Sequence, residues 1–66
     1  MKFNGKKIHL LRWEQKLTAM QLAAKMGGIV SHATIINWER EKTAPDATVL
    51  GKLASALGVE IGYFFE

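Results

Sequence analysis

At 66 residues with a formal net charge of +3 and no cysteine, the chain is long enough for one small domain, without disulfides or thiolate metal sites to staple it. Its 48% hydrophobic share is rich in Leu and Ala and poor in β-branched runs, which favours helices. No apolar run nears the roughly 20 residues that a membrane-spanning helix requires.

The two histidines, His9 and His32, are too few and too far apart to suggest a metal site, and no cofactor is expected. The Met1-Lys2-Phe3 start lacks the apolar stretch of a signal peptide, so the expected setting is reducing and cytoplasmic. Six cations (Lys2, Lys6, Lys7, Arg12, Lys16, Lys25) lie in the first 25 residues. That bias fits a polyanionic partner and equally a mildly basic solvated surface.

Taken in order, Asn4 is a candidate N-cap for a first helix running to about Lys16, with Ile8, Leu11, Arg12 and Gln15 along one face. Leu10 and Trp13 fall off that stripe, and Trp13 is expected at a partly covered edge, since a stacking platform for bases needs more than one ring. Thr18 and Gln21 have the spacing of a capping box, and Leu17 and Leu22 that of a hydrophobic staple. A second helix therefore starts at Thr18, carries Leu22, Ala23 and Met26 inward, and stops at Gly27-Gly28. Val30-Ser31 before Thr34-Ile35 repeats the staple and cap spacing for a third helix.

That third helix, Ser31 to Arg40, has two unlike faces: Thr34, Ile35 and Trp38 gather on one side, and His32, Ala33, Ile36, Asn37 and Arg40 on the other. An amide, an imidazole, a guanidinium and two small or branched apolar groups are side-chain types that can address base edges and thymine methyls. Glu41 to Ala44 is expected as a loop, and Pro45-Asp46 as a stop followed by a cap. Leu50, Leu53, Ala54 and Leu57 then recur at helical spacing as a core helix closed by Gly58. A final turn is expected to bring Ile61 and Phe64 inward and leave Tyr63 and Phe65 to find cover.

The succession Ile8-x-x-Leu11-Arg12, Leu17-Thr18, Leu22-Ala23-Ala24-Lys25-Met26-Gly27, Ser31-x-x-Thr34-Ile35-x-x-Trp38-Glu39-Arg40, Pro45 and Leu53 through Val59 resembles the Cro/phage-repressor (XRE) helix-turn-helix family, from about Ile8 to Phe65. The resemblance implies a single all-α domain spanning residues 1–66, a compact five-helix lambda-repressor-like bundle whose second and third helices form the helix-turn-helix. It implies base reading by His32, Ala33, Ile36 and Asn37, and phosphate binding around Thr18, Ala19, Gln21, Arg40, Lys42, Thr43 and Lys7. Arg12 and Glu39 match a family pair with an architectural role, and Trp38 fills a core position.

Three features depart from the family pattern. Gly28-Ile29 lengthens the turn before the third helix, Ala19 stands where glutamine often binds phosphate, and Glu41 replaces a common glycine, bringing an anion near DNA.

The function implied is a sequence-specific transcriptional regulator, a repressor acting as a homodimer on double-stranded DNA, cytoplasmic, nucleoid-associated and encoded by a bacterium or phage. Tyr63 and Phe65 are candidates for the dimer contact, or else only close the core. The alternative is a protein-interaction module on the same fold, a toxin-neutralising antitoxin or an adaptor, whose protein partner the sequence does not name. An enzyme is not expected: no cysteine, paired carboxylates, Ser-His-Asp set or phosphate loop is present.

Overall fold

A computed structural model describes residues 2–65, and these form four α-helices followed by a short 3-10 turn: α1 Lys6–Glu14, α2 Ala19–Lys25, α3 His32–Glu39, α4 Ala47–Leu57 and the turn Ile61–Phe64. The expected fifth helix is therefore only that one 3-10 turn. Among the described residues no helix is long and apolar enough to cross a membrane.

Helix starts follow local chemistry. Thr18 and Gln21 close a full capping box, with the Thr18 hydroxyl accepting the Gln21 N–H at 3.0 Å and the Gln21 carboxamide accepting the Thr18 N–H at 2.8 Å. Ser31 accepts the Thr34 N–H at 3.3 Å, and Asp46 the Val49 N–H at 2.9 Å. At α1 the cap position is Gly5 rather than Asn4, although the Asn4 carboxamide accepts the Lys6 N–H at 3.1 Å. Only glycine fits there: a Cβ on Gly5 would lie 1.9 Å from the Trp38 carbonyl oxygen.

All four helices end in the same way, each with a residue in the left-handed region and a paired set of backbone bonds reaching back into the last turn. Gly27 and Gly58 fill that position after α2 and α4, with φ of +85° and +74°. Lys16 and Glu41 fill it after α1 and α3 at φ +57° and +62°, a conformation that costs an L-residue about 1 kcal/mol or more. After α3 the two bonds are Glu41 N–H to the Trp38 carbonyl and Lys42 N–H to the Asn37 carbonyl, each 3.0 Å.

The core is one cluster in which Ile8, Leu22, Ile35, Leu53 and Phe64 are fully enclosed, joined by Leu11, Met26, Trp38, Leu50 and Leu57. α3 packs against both α2 and α1, while the 3-10 turn lies on α4. The Gln15 side chain donates to the Leu57 carbonyl at 2.8 Å, tying the end of α1 to the end of α4. Chain ends meet through an antiparallel bridge between Phe3 and Phe65, with the Asn4 N–H on the Phe64 carbonyl at 2.7 Å. Phe3 lies 6.2 Å from Phe64 and 6.0 Å from Phe65, ring centre to ring centre.

Two side chains depart from expectation. Ile61 is 44% exposed instead of inward, because its tip rests beside Gly51, which has no side chain to enclose it. Trp13 is not a covered edge residue: it is 75% exposed, on the side of α1 opposite the Ile8 and Leu11 face.

Candidate nucleic-acid interface

α3 turns Ile35 and Trp38 into the core and leaves His32, Ala33 and Arg40 exposed. Ile36 and Asn37 sit between these extremes, half-buried, and Ile36 leans partly on the core. The four residues assigned to base reading thus share the side of α3 away from the bundle, with His32 and Ala33 in the first turn. A helix placed end-on in a major groove presents that turn to the bases.

What holds the angle of α3 is a clamp at its other end. Arg12 Nε donates to Glu39 Oε2 at 2.8 Å and Nη2 to Oε1 at 3.1 Å, a two-bond pair between α1 and α3. A third donor, Nη1, reaches the Leu17 carbonyl at 3.2 Å, so one guanidinium joins α1, the entry to α2 and the end of α3. Glu39 sits at a helix C-terminus, where the backbone dipole disfavours an anion, and the guanidinium offsets this. The hydrogen bond to Glu39 raises the Arg12 pKa further above its already high ordinary value, with burial opposing and the Glu39 charge assisting. His9 completes the cluster, its Nδ1 3.4 Å from Glu39 Oε1 and 3.2 Å from Arg12 Nη2.

The seven phosphate candidates do not form one set. Thr18 and Gln21 are exposed at the start of α2 and are bonded to each other; Ala19 is buried, so only its backbone N–H is available for contact. The longer turn to α3 is absorbed by successive left-handed glycines, Gly27 and Gly28, and leaves Ile29 exposed. Arg40, Lys42 and Thr43 are exposed just beyond α3, and Lys42 and Thr43 border a shallow hollow with Lys2. Lys7 stands apart, its ammonium donating to the Tyr63 carbonyl at 3.1 Å and lying 5.0 Å from the centre of the Tyr63 ring. That placement makes Lys7 a tie between α1 and the 3-10 turn.

Glu41 is oriented back into the fold: its carboxylate accepts the Gly5 N–H at 3.1 Å, at the positive end of α1. Phe65 is half-buried against Phe3, whereas Tyr63 remains exposed. The sequence reading missed Gly5, Glu41 as a cap for α1, and Gln15 as a link to α4. Only Gly5 carried a local signal, a glycine beside a helix start, and that signal does not say what the glycine approaches.

With this geometry in view, comparisons with known proteins agree on the fold. No curated protein matches the chain. Among solved structures, the crystal structure of the P22 c2 repressor protein in complex with synthetic operator 9T in the presence of Tl+ is similar, with a TM-score of 0.88 and 29% identity over 100% of this chain and 97% of that one. A helix-turn-helix family model matches residues 8–64, from the first buried residue of α1 to the last buried aromatic, and the chain belongs to the helix-turn-helix family.

Proposed function

We propose that this protein is a sequence-specific double-stranded DNA-binding transcriptional regulator, acting as a repressor on a pseudo-palindromic operator. α3 enters the major groove, where Asn37 pairs its amide with adenine, Ala33 and Ile36 touch thymine methyls, and His32 donates to a guanine acceptor. The Ala19 backbone N–H, the Thr18 hydroxyl, the Gln21 side-chain NH2 group, and Arg40, Lys42 and Thr43 address phosphates, the Thr18 backbone N–H being already donated to the Gln21 carboxamide oxygen. Two copies, meeting through Tyr63 and Phe65, set their reading helices about 34 Å apart, one turn of DNA. A dimer also supplies the contact area that one short helix lacks.

The observation that carries this reading is the outward face of α3 held by the Arg12–Glu39 clamp: a helix face of mixed polar and apolar side chains, turned away from the core and fixed in direction by a shielded ion pair. The likeness to a repressor bound to its operator supports it. Selection of bound sites from a random duplex pool tests it. Enriched sites with two-fold related halves, bound less tightly as salt rises, are the expected result. A pool without enrichment, or binding indifferent to salt, overturns it.

A further inference from the structure

Between α1 and the outer side of α3 lies an open cleft of about 560 Å³ whose lining is mostly apolar. Leu10, 54% exposed, and Ile36 supply the apolar lining, and Lys6, His9 and Arg40 the polar surround. The carboxylate within it, Glu39, is already paired with Arg12, so the charge left to face a ligand is positive. Trp13 extends the apolar surface, because Lys6, Leu10 and Trp13 follow one another at i, i+4 and i+7 along the exposed side of α1.

We propose that this cleft docks an acidic, apolar segment of a protein partner, with leucine-like side chains on Leu10 and Ile36 and carboxylates facing Lys6 and Arg40. Charge complementarity selects this occupant. A second copy of the chain, meeting cleft to cleft about a two-fold axis, would set Lys6 and Arg40 against the same cations. A phosphate backbone would satisfy the cations and leave the apolar surface of Leu10 and Trp13 unpartnered. Because Ile36 and Arg40 belong both to this cleft and to the proposed DNA face, a docked segment and DNA exclude one another. That exclusion rests on the proposed function, and the docking does not.

The test uses the ¹⁵N-labelled chain and a blocked peptide of about three helical turns, with leucine at i, i+3, i+4 and i+7 and glutamate elsewhere. A second peptide carries lysine in place of glutamate. Saturable amide shifts confined to residues 6–13 and 36–40 are expected from the glutamate peptide alone. Leu10→Ser should weaken this binding about tenfold while lowering the melting temperature by only about 5 °C or less and leaving duplex affinity unchanged. No saturable shift at millimolar peptide, shifts elsewhere, equal binding of the lysine peptide, or a matching loss of duplex affinity in Leu10→Ser overturns the docking. Peptide and selected duplex bound together would overturn the exclusion. Failure of the chain to bind duplex at all would refute the proposed function while leaving the peptide footprint standing.

Discussion

Replacing Arg12 with alanine is the sharpest probe of how α3 is held. The substitution removes two bonds to Glu39 and one to the Leu17 carbonyl, and leaves a carboxylate whose side chain is only 9% exposed, with the His9 imidazole Nδ1 at 3.4 Å beside it. Stranding a buried charge costs about 3–5 kcal/mol when water is fully excluded. The Arg12 side chain is itself 17% exposed, so water reaches the vacated site and the expected loss falls to about 2–3 kcal/mol. In a domain of this size that lowers the melting temperature by roughly 10–20 °C, measurable by circular dichroism. Arg12→Met combined with Glu39→Leu should recover much of the loss, because the cost lies in the orphaned charge and not in the absent attraction. The sign of the pH dependence follows from the raised Arg12 pKa: stabilisation from a raised group is complete below its unfolded value and disappears only as pH climbs through the folded one. For arginine both lie far above neutrality, so the Arg12 contribution itself is constant across the neutral range. A melting temperature lowered by less than about 3 °C in Arg12→Ala would refute the clamp.

Other expectations follow from the same geometry. Glu41→Ala keeps the left-handed backbone cost and loses the bond to Gly5, so it should destabilise by about 1 kcal/mol, whereas Glu41→Gly relieves the backbone and should fall within about 1 kcal/mol of the parent in urea titration. Gly5→Ala sets a methyl against the Trp38 carbonyl, and backbone on both sides blocks relief; a loss of about 3 kcal/mol or more, read as lost helical signal, is expected. Asn37→Ala should weaken binding to selected sites more than to random duplex, and equal losses on both would remove it from the base readers. Lys42→Ala should weaken both alike and reduce the salt slope by about 1.

Much of this architecture is visible in the chain because its rules are local. Thr18 with Gln21, Ser31 with Thr34, and Asp46 with Val49 act across three residues, and the Leu50, Leu53, Ala54 and Leu57 stripe across one or two helical turns. Such patterns need no knowledge of what lies across the fold, and so helix starts and core faces could be read directly. Trp38 was legible as core for the same reason, and the outer face of α3 was legible as its complement.

Ties between distant residues were not readable that way. Arg12 meets Glu39 across 27 positions, a pairing reached beforehand only through family likeness, while Glu41 reaches Gly5 across 36, Gln15 reaches Leu57 across 42 and Lys7 reaches Tyr63 across 56. A glutamate after a helix can face solvent, DNA or another helix end with the same local energy. The choice was made when α1 and α3 came close enough for Gly5 to lie under Trp38, which brought the first N–H groups of α1 beside that carboxylate. The same approach formed the cleft of Leu10 and Ile36, residues that lie 26 positions apart and carry no common sequence signal. Local hydrogen bonding and periodicity thus determine which helices form and which way each faces. Close packing between helices decides which charges are paired within the fold and which remain outside it for a partner.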